Sequence, residues 1–542
     1  MKKRDFVSIV CAAAVMAGAL SGCGGTAQKS DRVTDDDFSA PITIRVLDNS
    51  TELTSSDDFT NEKSKFFDER WKLICDKFNV RFEYVPVSYS SWADQVRTLL
   101  STNSLPDVAI GALMPAEYQH YAKQGIITTL TKDDLALFPN IMKNINAVTA
   151  HDAFISPDGN YIAIPRALDI EGLSTDYTYQ FVYRKDWAKE AGVELKEAYT
   201  LEEIYDMFAK VQKLHPEALM YNSITPNNVL QLGMYQYVDQ FADTPKGNFR
   251  LNSTGTSYEF LAAQPEALEG LKWIKRFYGA GFIHPEYTTL PMYEARTEFN
   301  TGRNFSYWDG SDLLFFSKTI KEGFEDQNPD LNFDDCVDIG LLKNSQGKYM
   351  IKDVGNYWSE IFFNASISGE MLTRFLHVYD YLCSEEGMYM QSFGIKDKHY
   401  RLERDGTVTN IRPADEQTGL PEQFNLKVPD TYMMVYHGPL PGTTLYSKDS
   451  SLSEYCRRRI VELFSLREKS PHTVTPYDAK VFSYDSRDFS AFTGNPFKEL
   501  NLLISTTSSE SELVNGWNRF VSEHKTEYEN IVKELNRELL DT

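Results

Sequence analysis

The sequence predicts an α/β chain of more than one domain, built on a parallel sheet with helices against its faces. Three observations carry that reading. From residue 41 onward, segments with the two-residue period of strands alternate with segments of helical period. A second alternating region begins after a turn signal at Asp158-Gly159. With 542 residues, 42% hydrophobic and 13% aromatic, the chain has enough apolar surface for several cores.

The elements follow in order. "ITIRVLDN" places Ile42, Ile44 and Val46 on one face, as a strand does. Phe67, Trp71, Ile74, Cys75 and Phe78 then recur at helical spacing. "VRFEYVPV" returns to strand alternation through Val80, Phe82 and Tyr84; Trp92, Val96, Leu99 and Leu100 mark a second helix, and "PDVAIG" is a short buried strand. Ligands of such sheets bind outside the carboxyl ends of the strands, which here are Asp48-Asn49, Val87-Ser88 and Gly111-Ala112.

Beyond Asp158-Gly159, Ile162, Ile164 and Pro165 lead into a connecting segment. "QFVYRKDWAKEAG" reads as strand then helix, with Asp186 as N-cap and Gly192 as stop. Thr200 and Glu203 form a capping box before Leu201, Ile204, Tyr205, Phe208 and Val211. Leu268, Leu271, Ile274 and Tyr278 line a helix closed by Gly279 and Gly281, and "NFSYWDG" is a strand ending in aromatics and a carboxylate. Leu372, Phe375, Leu376, Tyr379 and Leu382 predict a helix that ends near Gly387. Residues 401–515 are rich in turn residues around one helix near 452–468, and Trp517 through Leu539 form a long amphipathic helix. Trp71, Trp273 and Trp517 lie on apolar helix faces, which assigns them to cores.

The N-terminus has the layout of an export signal. Lys2, Lys3 and Arg4 precede an apolar run from Phe6 to Leu20, about 15 residues and too short to span a membrane. It ends in "LSGC", which resembles the bacterial lipobox; by that resemblance Cys23 becomes a lipidated N-terminus. The alternative is a signal cut elsewhere, with Cys23 lost or free. Residues 24–40 are polar and aperiodic, a flexible tether spanning on the order of 20–25 Å.

Net charge is −23, and −25 once the +2 of Lys2, Lys3, Arg4 and Asp5 is removed, so the surface repels phosphate backbones and nucleic acid is excluded as a partner. Cys75, Cys336, Cys383 and Cys456 lack metal-site spacing. Cys75 and Cys383 fall on apolar helix faces, and a disulfide stays open.

Several stretches together resemble a known family: "SWADQVRTLLSTNSLPDVAIG", "YAKQGIITTLT", "DGNYIAIPRA", "FVYRKDWAKEAGVE", "ALEGLKWIKRFYGAGFIHPEY", "EFNTGRNFSYWDG" and "FLHVYDYLCSEEGMYMQSFG". Their order is similar to that of the family 1 extracellular solute-binding proteins of bacterial ABC importers, especially the large lipoproteins linked to carbohydrate uptake. The resemblance implies a two-lobed periplasmic-binding-protein-like fold, with discontinuous lobes joined by crossover segments and completed by C-terminal helices. It divides the chain into a signal peptide (1–22), a lipidated cysteine with tether (23–40), the first part of lobe 1 (41–165), lobe 2 (166–350), a lobe 1 return (351–400) and a C-terminal region (401–542).

The implied function is capture of a sugar or oligosaccharide in an interlobe cleft and its delivery to an ABC transporter permease. The protein would be a monomer without a cofactor, anchored by lipid on the extracytoplasmic face of the cell membrane. Many large members carry a calcium-like loop after the helix corresponding to 200–213. Here "KLHPEALMYNS" stands in that place without the carboxylate spacing of an oxygen-ligand site, so no metal is expected there.

Sugar recognition requires flat apolar faces for C–H-rich rings and planar polar groups for hydroxyls. Trp308 and Asp309 supply both side by side at a strand end; the alternative is an indole plugging the second core and a carboxylate in a turn. Asn356, Tyr357 and Trp358 stand near the return to lobe 1. Arg166 and Asp169 follow the crossover, either lining the hinge side of the cleft or paired as a solvated surface bridge. By the resemblance, Tyr221 and Asn222 fall where relatives contact ligand, and Asn49 ends the first strand.

Enzyme motifs are missing: there is no G-x-S-x-G, H-E-x-x-H, Walker loop or G-x-G-x-x-G, and the nine histidines lack metal-ligand spacing. Acidic pairs such as Asp334-Asp335 mean little among 78 carboxylates. A surface glycoside hydrolase and a peptide-binding importer component are the competing readings.

Overall fold

Two sheets, each with its own helices and buried core, organise the chain. The computed structural model describes residues 33, 37–48, 60–62, 67–88, 91–111, 113–167, 176–178, 180–223, 229–234, 248–252, 256–291, 293–308, 316, 320–344, 346–353, 356–404, 408–412, 454–475, 492 and 495–540. The leader, Cys23, Asn49, Asp169 and Asp309 lie outside these residues.

β1 (Ile42–Asp48), α1 (Glu69–Phe78), β2 (Val80–Pro86), α2 (Trp92–Ser101) and β3 (Val108–Gly111) form the expected βαβαβ run, with β1 parallel to both β2 and β3. α3 (Pro115–Lys123), β4 (Ile127–Thr128), α4 (Lys132–Ala136), α5 (Pro139–Ala147) and β5 (Ile164–Ala167) follow. The chain crosses through β6 (Asp176–Thr178) into β7 (Gln180–Arg184), α6 (Lys185–Glu190), β8 (Ala198–Tyr199), α7 (Leu201–Leu214), β9 (Leu219–Ser223) and α8 (Gln231–Met234). Then come β10 (Phe249–Leu251), β11 (Tyr258–Phe260), α9 (Pro265–Gly279), α10 (Glu294–Asn300), β12 (Asn304–Trp308), α11 (Lys321–Gln327), α12 (Phe333–Cys336) and β13 (Val337–Leu342).

β14 (Tyr349–Asp353) leads back to β15 (Tyr357–Asn364), α13 (Gly369–Cys383) and α14 (Glu385–Phe393). β16 (Tyr400–Leu402), β17 (Val408–Asn410), α15 (Glu454–Lys469), β18 (His472–Thr475), α16 (Pro496–Thr506) and α17 (Glu510–Leu540) complete the described elements.

The first sheet has strand order β2-β1-β3-β15-β4, with β5 also paired to β15; the second runs β8-β13-β7-β12-β9. The outgoing and returning segments run side by side. β6 pairs antiparallel with β14, and β5 antiparallel with β15, so two neighbouring strands join the sheets.

Each sheet is held by apolar burial. Ile44, Val46, Trp71, Val96, Ile110, Phe362 and Leu376 share the first core; Phe208, Leu271, Phe305, Trp517, Phe520 and Ile531 share the second. Each such side chain contributes about 1.5–3 kcal/mol. The terminal helix thus belongs to the second core, and Trp517 fixes it by donating its indole N–H to the Ala262 carbonyl at 2.9 Å. Trp273 is only half-buried against that core. A third core, containing Val337, Phe316, Phe324 and Cys456, lines another face of the second sheet's elements. Cys75, Cys336, Cys383 and Cys456 are all buried and none is joined to another by a disulfide, which closes that option among them.

Local sequence explains the ends of elements. The Asp68 carboxylate caps α1 by accepting from the N–H groups of Arg70 and Trp71. Both arms of the Thr200–Glu203 capping box form at α7. Two expectations are corrected. Asp186 is not the N-cap of α6: Arg184 holds that position, and Asp186 sits in the first turn bonded to the Arg184 guanidinium. The helix through Leu382 does not run to Gly387. It stops at Cys383, and Ser384 caps a separate helix by accepting from the Gly387 N–H.

Candidate functional site

The candidate residues gather at strand ends in two groups. The first lies at the carboxyl edge of the first sheet, where β15 enters antiparallel and sets Glu360 opposite Gly111 of β3. Arg166, near the end of β5, is fully buried there. Its Nε donates to the Ser359 hydroxyl at 2.9 Å, and its Nη2 donates to the same oxygen. The solvated surface bridge is therefore corrected: desolvation around Arg166 is complete, and its guanidinium bridges the two crossover strands.

Asn356 is 2% exposed and donates its side-chain amide to the Ala147 carbonyl at 2.6 Å. Tyr357 is half-buried, its ring edge-on to Phe154 with centroids 5.1 Å apart. Trp358 is a strand residue whose side chain lies outside the described atoms. Asn144 of α5 clamps the end of β5 by donating to the Pro165 carbonyl and accepting from the Ala167 N–H.

Beneath these sits Glu360, which sequence reasoning did not single out. Its Oε2 accepts from the Tyr118 hydroxyl at 2.6 Å. Burial raises its carboxyl to about 8, against the opposing pull of the Tyr118 hydrogen bond and the Arg166 charge. The same burial, with the neighbouring carboxyl, drives the Tyr118 phenol well above its usual range. The available signal was "YWSEIFFN", one carboxylate set inside an otherwise uncharged strand.

The second group lies at the end of β12. Parallel pairing sets Trp308 opposite Ser223, Tyr307 opposite Asn222 and Ser306 opposite Tyr221. Trp308 is half-buried against the second core. Tyr221 is not displayed at this edge: it is 2% exposed, its ring stacked over Phe208, and burial raises its phenol pKa. Asn222 is closed off as well, its amide donating to Glu298 on α10 at 2.9 Å and its oxygen accepting from the Ser223 N–H. Ser223, which sequence reasoning passed over, has a buried hydroxyl without a hydrogen-bond partner among the described residues.

Among the described residues, no group of three or more His, Cys, Asp or Glu side chains is set to hold a metal ion, and no helix is long and apolar enough to cross a membrane.

Residues 73–306 match the model of the bacterial extracellular solute-binding proteins. This part of the chain is similar to that family. The family is one of extracellular binding proteins rather than enzymes. No curated protein sequence matches the chain.

Solved structures of solute-binding proteins share its two-lobed α/β fold. An alginate-binding protein is 15% identical over 95% of this chain and all of its own, with a TM-score of 0.65. The binding protein FusA of S. pneumoniae, in complex with kestose, is 13% identical over 92% of this chain and 99% of its own, at 0.62. An N-glycan transport solute-binding protein of Streptococcus pneumoniae is 10% identical over 93% and 99%, at 0.59.

Proposed function

We propose that this solute-binding protein captures a sugar or oligosaccharide between its lobes and delivers it to the permease of an ABC importer, while tied to the membrane through a lipidated Cys23. The observation that carries the reading is Trp308, a half-buried indole at a strand end with the unpartnered Ser223 hydroxyl on the neighbouring strand. A sugar ring offers a C–H-rich face flanked by hydroxyls, and an indole beside a polar group answers both. The names of the similar structures support the same class, since one binds alginate, one transports N-glycans and one holds kestose. The "LSGC" motif and the short tether after it support anchoring close to a membrane-embedded permease.

A thermal-shift screen against an oligosaccharide panel tests this. A ligand at about 100 times its Kd stabilises the folded state by ~2.7 kcal/mol. Trp308→Ala should abolish that shift and leave the ligand-free melting point nearly unchanged. A ligand-free loss of several kcal/mol would show Trp308 to be core instead. Stabilisation by peptides with none by sugars would overturn the carbohydrate class, and release of cleavage products would indicate a hydrolase.

A further inference from the structure

The two crossover strands meet at a place with several unusual features. β15 pairs with β5 through Tyr357–Ala167, Glu360–Pro165 and Ile361–Ile164, and the register shifts between Tyr357 and Glu360. Two non-glycine residues there adopt the left-handed region, Asn356 just before the bulge at φ 54° and Ser359 within it at φ 68°. Such residues persist only where the surroundings hold them. Here the Asn356 amide is tied to the Ala147 carbonyl, and the Ser359 hydroxyl accepts from Arg166 of the other crossover. Glu360 is 2% exposed, and Tyr118 is fully buried with its hydroxyl so close over Gly111 that an added Cβ would lie 1.8 Å away. No room is left for water to replace these contacts at Gly111.

We propose that Glu360 is a positioning residue for ligand capture, which sets the relative placement of the two crossovers through Tyr118 and Arg166 and couples ligand affinity to its own protonation. The proposal rests on the interlobe-capture reading above. Facing Glu360 are Tyr118 and Glu117 from α3 and Arg166 from β5, while its partner on β3 is Gly111, which carries no charge.

With its carboxyl raised to about 8, the group is mostly neutral at pH 7 and ionised above that point. The neutral form leaves the crossovers bridged by the Arg166–Ser359 hydrogen bonds. The carboxylate adds a buried charge attraction to Arg166, stiffens the joint and resists the interlobe rotation that closes on ligand.

The test uses the mature chain and the best oligosaccharide from the panel. Calorimetry should show affinity falling several-fold between about pH 7 and about pH 9, around the Glu360 midpoint. Glu360→Gln should bind equally at both, with a far-UV spectrum unchanged from wild type. Tyr118→Phe removes a donor that favours the carboxylate, so the midpoint should move to higher pH. Small-angle scattering of the ligand-free chain supplies a readout that needs no sugar: the spread of interlobe distances should narrow at high pH in wild type but not in Glu360→Gln. Parallel pH responses in wild type and Glu360→Gln would overturn the proposal. Should no sugar bind, the carbohydrate reading fails and the scattering comparison still decides the role of Glu360. Should Glu360→Gln not fold, the Tyr118→Phe midpoint decides it, and an unmoved midpoint overturns the proposal.

Discussion

A carboxylate moved from water into a strand interior loses several kcal/mol of hydration, so an isolated one is expelled or protonated. Glu360 remains because a phenol donor and a guanidinium lie beside it, and because its proton is retained to about pH 8. The sign of its effect on stability follows. Its unfolded value is about 4.3, below the folded one, so its contribution is complete below about pH 4.3 and is lost as pH rises toward about 8. We expect calorimetric stability of the first lobe to fall across that window by at most about 1.4 kcal/mol per pH unit, and Glu360→Gln to flatten the slope. An equal slope in the variant would assign the dependence to other groups. Arg166, Tyr221 and Asn222 illustrate what residue identity conceals. Each is a plausible sugar contact by type, yet each is at most 2% exposed. Side-chain chemistry is written in the sequence, whereas access to water depends on what packs above.

At the scale of elements, short-range signals were accurate where the chemistry is short-range. The capping box at α7 depends on two residues three apart, and both hydrogen bonds form. Thr200→Ala should therefore cost about 1 kcal/mol, read as an earlier denaturation midpoint of the second lobe. An unchanged midpoint would mean that the core around Leu201, Ile204 and Phe208 holds α7 without its cap. The split between α13 and α14 was less visible, because an apolar pattern continued past it. Its local cause is Ser384, a good N-cap, together with close packing of Gly387, where an added Cβ would meet the Tyr381 carbonyl at 2.1 Å. Asp186 shows the opposite case. An acidic residue near a helix start has two local uses, and the adjacent Arg184 guanidinium won over the N-cap position.

For the whole molecule, the anchor reading makes a prediction of its own. Cys23→Ala should move the protein from the membrane fraction to the soluble one without changing ligand binding, as fractionation and calorimetry would show. Retention in the membrane would exclude lipid on that cysteine as the anchor. By itself, the sequence determined the parallel βαβαβ start, the order of most helices and strands, and the aromatic at the end of β12. Those features follow from periodicity, capping and charge, which act over a few residues. Only the tertiary structure decided that the last helix completes the second core and that the outgoing and returning strands lie side by side. It also decided that Arg166 and Glu360, 194 positions apart in the chain, share one buried cluster. Contacts across such separations leave no local period to read, because they form only when the strands pair and water is removed from between them.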